Sequence, residues 1–259
     1  MPKKKRMKGI VGIEAAIVLI AFVIVAAALA FVVLNMGMFT TQRSKEVIGR
    51  GLGEASSALE VDGSVLALVD SSRYVDTISL PVKLSPGREA VDFNVTALKL
   101  LLSTGGSYEN ILKGIYYLTN DSDGNWLLVH VSGLNLTNAK KGLKTIGGTQ
   151  TTVTYYDLGT TETPDLSTIA NALKDLPTEY QGKTVAFVVF IRSIDDVPPD
   201  TVLEFGEKAV IIVLLGSNND KLSNYDSFTI ELRPIEGAPL TIERTVPPTL
   251  TADSAVTLD

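Results

Sequence analysis

Between Ile10 and Leu34 the chain carries a single charged side chain, Glu14, in a run of about 25 otherwise apolar residues. As a helix, that run is long enough to cross the hydrocarbon of a bilayer with some tilt. Because it is apolar all round, it suits burial on every side, in lipid or in a bundle of neighbours. It is preceded by Lys3-Lys4-Lys5-Arg6-Met7-Lys8-Gly9. Under the positive-inside rule this basic stub stays cytoplasmic and everything after Leu34 lies outside the cell.

Three fates of this N-terminus are compatible with the residues. A secretory signal would be cut after a small-x-small triplet, such as Ala26-Ala27-Ala28 or Ala28-Leu29-Ala30. The apolar run, however, continues through Phe31-Val32-Val33-Leu34 without a polar break. An uncleaved anchor, holding a cell-surface receptor, is the second fate. In the third, cleavage between Gly9 and Ile10 leaves a positive amine at Ile10, one helical turn from Glu14. A carboxylate in hydrocarbon costs at least a few kcal/mol unless paired, so Glu14 reads as functional. In a stack of staggered helices, the amine of one subunit reaches Glu14 of the next. Such a pair fixes axial register more than it adds net stability.

Lys8-Gly9 followed by Ile10-Val11-Gly12-Ile13-Glu14 resembles the class III signal of type IV pilin-like proteins. The continuation Asn35-Met36-Gly37-Met38-Phe39-Thr40-Thr41-Gln42 resembles archaeal flagellins, or archaellins. So does Gly237-Ala238-Pro239-Leu240-Thr241-Ile242-Glu243-Arg244-Thr245-Val246-Pro247-Pro248 near the other end. The two matches bracket the chain, and its middle carries no matching motif. The resemblance implies that a class III signal peptidase removes residues 1–9 from a membrane-embedded precursor. It also implies that helices from residues 10–60 pack into the core of an extracellular swimming filament, a self-polymer in which Gly12 and Glu14 serve assembly. Residues 61–259 would form an outward-facing β-sandwich. An acid at the Glu14 position is also typical of bacterial-type pilins, so an adhesive pilin competes with the motility reading.

Alanines at 15, 16, 21, 26, 27, 28 and 30 alternate with bulky residues, as where helix backbones approach closely. Beyond Leu34 the pattern turns amphipathic, with Phe39, Val47, Ile48, Leu52, Ala55 and Leu59 on one helical face. Gly49, Gly51 and Gly53 would each weaken that helix by up to about 1 kcal/mol, which suggests a hinge or an end there.

From Ala58 the chain reads as short strands between turn signals. Candidates are 64–69, 75–84, 91–102, 126–132, 151–158, 185–193, 208–215, 227–234 and 240–246. Ala186–Ile191 and Ala209–Leu215 are almost wholly apolar, as central strands would be. One helix is expected from Asp165 to Lys174, with Thr163 as cap, Pro164 at its first position and Pro177 beyond its end. The fold class is therefore α+β: a long N-terminal hydrophobic helix followed by an immunoglobulin-like β-sandwich.

The chain has no cysteine, so disulfides and thiolate metal sites are out. Net charge is −6, and since five cations lie in the stub the remainder stands near −11, which argues against nucleic-acid binding. No catalytic group, metal site or cofactor is expected. His130 is the lone histidine, in a strand pattern. Asp121-Ser122-Asp123-Gly124-Asn125 lacks EF-hand spacing and reads as a hairpin turn, and Asn218-Asn219-Asp220 as another. Three acceptor sequons start at Asn94, Asn120 and Asn135. Asn120 and Asn135 fall near expected turns and are the better glycosylation candidates; Asn94 falls within an expected strand.

Overall fold

The computed structural model describes residues 10–55, 58–146, 149–160, 162–192, 200–216 and 219–258. The expected signal peptide with Gly9, and Asn218 of the second expected turn, lie outside them. The chain divides into two compact units between Leu52 and Gly53.

Helix α1 spans Ile10–Ala55, 46 residues, or about 70 Å at 1.5 Å per residue. It runs through Gly49, Gly51 and Gly53 without interruption, so the expected end at these glycines is not there. Their cost of about 1 kcal/mol each weakens the helix without breaking it.

In chain order, the first strands are β1 Leu59–Val61, β2 Val65–Val69, β3 Val75–Leu84, β4 Val91–Asp92, β5 Ala97–Leu102 and β6 Ser107–Glu109. Next come β7 Leu112–Asn120, β8 Trp126–Gly133, β9 Lys140–Ile146 and β10 Thr149–Asp157. After α2, Leu166–Leu173, follow β11 Val185–Arg192, β12 Val202–Leu203, β13 Lys208–Leu214, β14 Ser227–Arg233, β15 Leu240–Thr245 and β16 Ala255–Leu258.

A large sheet has the order β16-β2-β3-β13-β11-β7-β8-β10-β9, with β1 on β3, and a smaller one β15-β14-β5-β6. They share one core: Ile78, Leu80 and Val82 of β3 and Val188 and Phe190 of β11 cluster with Leu98, Leu100, Phe228 and Ile230 of the smaller sheet. On its other face the large sheet is covered by α2, where Ile169 and Leu173 meet Phe187, Val189 and Ile212. Both faces of β11 are therefore dry, which is why it reads as a continuous apolar run. The α+β expectation, a long apolar helix followed by a β-sandwich, is the architecture observed.

Several local expectations are corrected. The α2 cap is Asp165: its carboxylate accepts the Thr168 N–H and the Ser167 hydroxyl, both at 2.8 Å. Pro164 precedes the cap, and a carboxylate both satisfies an orphan donor and complements the helix dipole. The expected strand 91–102 is split by a turn, in which Asp92 accepts the Asn94 N–H through Oδ1 at 2.8 Å and the Thr96 hydroxyl through its backbone carbonyl at 2.8 Å. Asn94 consequently sits in a turn. Strands β7 and β9, and the short β1, β6, β12 and β16, were not among the expected elements.

The β7–β8 hairpin turns on Asp121, whose side chain is 2% exposed. Its Oδ1 accepts the N–H groups of Asp123 (3.1 Å) and Asn125 (2.9 Å), while Lys144 of β9 donates to Oδ2 at 2.7 Å. The Lys144 bond, aided by these backbone donors, holds the carboxyl below the usual carboxylate range. A depressed carboxylate contributes stability that is complete above its unfolded value of about 4 and is lost as pH falls through its lower folded value. Asp121→Asn keeps the turn acceptor and loses the charge. It is expected to destabilise the domain by about 2 kcal/mol at neutral pH and to flatten the acid limb of a urea-melt stability profile.

Candidate assembly helix and surface sites

Leucine, isoleucine, valine and phenylalanine dominate α1, and every described side chain from Gly12 to Leu52 is exposed. From Ile13 to Leu34 each large apolar residue is more than half exposed, and Phe22 is 72% exposed. Burying one such side chain is worth about 1.5–3 kcal/mol. Over this segment the sum reaches tens of kcal/mol, more than the 5–15 kcal/mol that typically holds a domain folded. Bare in water, the helix would be the most unfavourable surface on the molecule. It can do two things at low cost: sit in hydrocarbon, or be sheathed by other apolar helices.

Ile10 is the first residue of α1, and Glu14 stands one turn further, exposed among apolar neighbours. Gly12 has no atom within 4 Å of where a Cβ would stand, so its own chain's packing does not demand a glycine there. The far half of α1 is different. Glu46 binds Arg43 at 3.1 Å and Arg50 at 2.8 Å, and Arg43 lies 5.6 Å from the centroid of the Phe39 ring. The hydroxyls of Thr40 and Thr41 donate back to the carbonyls of Met36 and Gly37, each at 2.8 Å. The Thr40 and Thr41 hydroxyls and the Glu46 carboxylate thereby find their partners within the helix.

All three sequon asparagines are exposed on the β-rich unit, in different settings. Asn94 accepts the Ser132 hydroxyl at 3.0 Å, and Thr96 of its sequon is buried. Asn120 ends β7 beside the Asp121 turn. Asn135 follows β8, with both it and Thr137 exposed.

His130 lies in β8, its Nε2 3.1 Å from the Gly133 carbonyl and its ring edge-on to Tyr116 at 5.5 Å. Burial holds its pKa below the usual histidine value. The Asp220 carboxylate accepts the hydroxyls of Tyr108 and of Thr184, the latter at 2.9 Å. Asp220 thus joins the edge of the smaller sheet to the start of β11. Among the described residues no three histidine, aspartate or glutamate side chains gather as a metal site would require.

The model of the family described as archaeal-type flagellin matches residues 9–244. A probable flagellin 1 of Aeropyrum pernix is 42% identical over 256 residues, spanning 98% of this chain and 99% of that protein. Flagellin FlaB2 of Saccharolobus shibatae is 30% identical over 280 residues, spanning 93% and 92% respectively. The crystal structure of archaeal flagellin FlaB1 from Methanocaldococcus jannaschii superposes with a TM-score of 0.49 at 16% identity, covering 78% of this chain and 97% of that one.

Proposed function

This chain belongs to the archaeal-type flagellin family, and from that premise we propose that its helix α1 serves in two successive media, lipid and then a bundle of its own copies. The protein is a structural subunit that polymerises into an extracellular archaeal motility filament. The observation that carries the two-stage reading is the uniformly exposed helix from Gly12 to Leu34, apolar but for Glu14. Lipid stores that surface before assembly, and neighbouring helices cover it afterwards. A class III signal peptidase cuts between Gly9 and Ile10 and removes residues 1–9; the helix expected to reach residue 60 ends at Ala55, since Leu59 already begins β1, and the β-rich outer domain follows it. The amine released at Ile10 pairs with Glu14 of an adjoining copy, and Gly12 lets the two helices approach.

Mass spectrometry of sheared filaments tests this directly. The mature chain is expected to begin at Ile10, with glycans on Asn135 and Asn120 and with Asn94 bare, since Asn94 and Thr96 are engaged in their own turn. A mature chain that begins at Met1 or Pro2 would leave the helix as a permanent anchor and defeat the proposal. Glu14→Ala is expected to enter the membrane normally while filament yield falls about tenfold, since leaving the adjoining Ile10 amine enclosed without its partner costs roughly 1.4 kcal/mol per added subunit. Wild-type length and yield in that variant would remove Glu14 from assembly.

A further inference from the structure

Between Glu14 and Arg43, helix α1 carries only Asn35, Thr40, Thr41 and Gln42 as side chains with hydroxyl or amide groups. Both threonine hydroxyls already donate to carbonyls of their own helix. The Asn35 and Gln42 amides differ: among the described residues neither meets a hydrogen-bonding partner. Seven residues separate them, about two turns, so the two amides share one face of α1.

On that face Phe31, Val32, Met38 and Phe39 line one groove together with Asn35 and Gln42. Each of these four apolar side chains is more than half exposed. No charged side chain lines the groove. Arg43, the first cation beyond it, lies over the Phe39 ring and binds Glu46, both on its own helix.

Left in water, the four apolar side chains stay bare. Under hydrocarbon or an unbroken apolar face, both amides would be buried unpaired, which is unfavourable. The groove therefore suits a cover that is apolar and also hydrogen-bonds. A second α1 is such a cover, since it brings apolar side chains, the hydroxyl oxygens of Thr40 and Thr41, and two unspent amides of its own.

We propose that α1 of a second copy of this chain covers this groove, and that the Asn35 and Gln42 amides hydrogen-bond across the contact and so set the axial register of neighbouring helices. The inference rests on the filament-subunit reading and adds to it what selects one stagger over others. A wholly apolar contact can slide at little cost, because each apolar residue is replaced by another along the helix. A buried amide cannot, since one step out of register leaves it unpaired; a lone asparagine in a coiled-coil core specifies register in the same way. Storage in lipid leaves these bonds unspent. Asn35 stands 21 residues beyond Glu14, about 31 Å along the helix, close to the thickness of about 30 Å of bilayer hydrocarbon. With Glu14 at one face of the bilayer, Asn35 reaches the other and Gln42 lies beyond it, both amides hydrated.

The test is the full chain carrying Asn35→Leu with Gln42→Leu, its helical rise measured segment by segment by electron cryomicroscopy. Filament mass is expected to stay within about twofold of wild type while the single rise gives way to several, with less than about half of the segments keeping the wild-type value. One wild-type rise throughout the double variant would overturn the inference. So would an absence of filaments, because the apolar groove that remains is expected to polymerise without the amides. Coverage is read separately, since the chain contains no cysteine and an introduced thiol reports alone. In assembled filaments, Gln42→Cys should react with a water-soluble maleimide at least about tenfold more slowly than Leu143→Cys on the exposed edge strand β9. Equal rates would show a groove open to water and would also overturn it. Failure of the wild-type chain to polymerise would instead remove the reading beneath it.

Discussion

Ile24→Asp is expected to eliminate the filament while leaving the β-rich unit folded. Ile24 lies mid-way along the apolar stretch of α1, 62% exposed, with valine, alanine and phenylalanine on every side. Placing a carboxylate at the centre of a spanning helix costs about 3 kcal/mol by insertion scales. Since each 1.4 kcal/mol is a factor of ten, that alone is more than a hundredfold against storage in lipid. In the polymer the penalty recurs with every added subunit. Glu14 has a proposed amine to answer it, whereas a carboxylate at position 24 lies far from any chain terminus and from the cations that begin at Arg43. Pelletable filament measured by electron microscopy and quantitative blotting should therefore fall below one per cent of wild type. Ile24→Leu, which keeps the apolar volume, should retain most of it. Filaments of normal yield from Ile24→Asp would mean that the mid-segment of α1 is not enclosed in the polymer core.

The helix was legible because its chemistry is uniform. A surface that must be dry on all sides needs no partner elsewhere in the sequence to be recognised, and Ile10–Leu34 announces it residue by residue. Strands β11 and β13 were legible for a related reason: with α2 on one face and the smaller sheet on the other, both alternations of β11 are apolar. Strand β7 was not. Lys113-Gly114 breaks its apolar run, and it owes its place to a parallel pairing with β11, some seventy residues away. The α2 cap was misread because Thr163 and Asp165 both satisfy a capping pattern, and only the fold decides which carboxylate or hydroxyl faces the first free N–H groups. The sequon at Asn94 looked like part of a strand because Val91 to Thr96 alternates so regularly. The Asp92 side chain, by taking the Asn94 N–H, turns the backbone there instead. Sites made of neighbouring residues, such as the cleavage proposed at Gly9-Ile10 and the pairing proposed for Glu14, can be proposed from sequence alone.

Gly133→Ala is expected to be among the most damaging single-methyl changes in the β-rich unit. Gly133 closes β8 opposite Gly114 of β7, just past an irregularity where the partner of Ile115 is Ser132 and that of Tyr116 is His130. Its φ of +86° is a left-handed conformation, which costs a residue with a Cβ about 1–2 kcal/mol. Space is the larger obstacle. A Cβ there would stand 2.2 Å from the Lys113 carbonyl oxygen and 2.9 Å from the Gly114 Cα. Both are backbone atoms, so no side-chain rotation relieves the clash. The Lys113 carbonyl cannot simply withdraw, because it accepts the Leu134 N–H at 2.7 Å, and the Leu134 carbonyl in turn accepts the Tyr116 hydroxyl. Shifting β7 would also disturb its parallel ladder with β11, at the centre of the large sheet. Overpacking of this kind adds about 1–3 kcal/mol to the conformational cost, for a total of about 3 kcal/mol or more. For a domain of this size that corresponds to a melting temperature lowered by about 6–12 °C. Circular dichroism melts of the full chain in detergent should show it. The control is Gly142→Ala on edge strand β9, where a Cβ would meet only the Tyr155 ring at 3.7 Å and the melt should move by less than 2 °C. A Gly133→Ala melt as close to wild type as that control would mean that the β7–β8 approach is looser than the register requires.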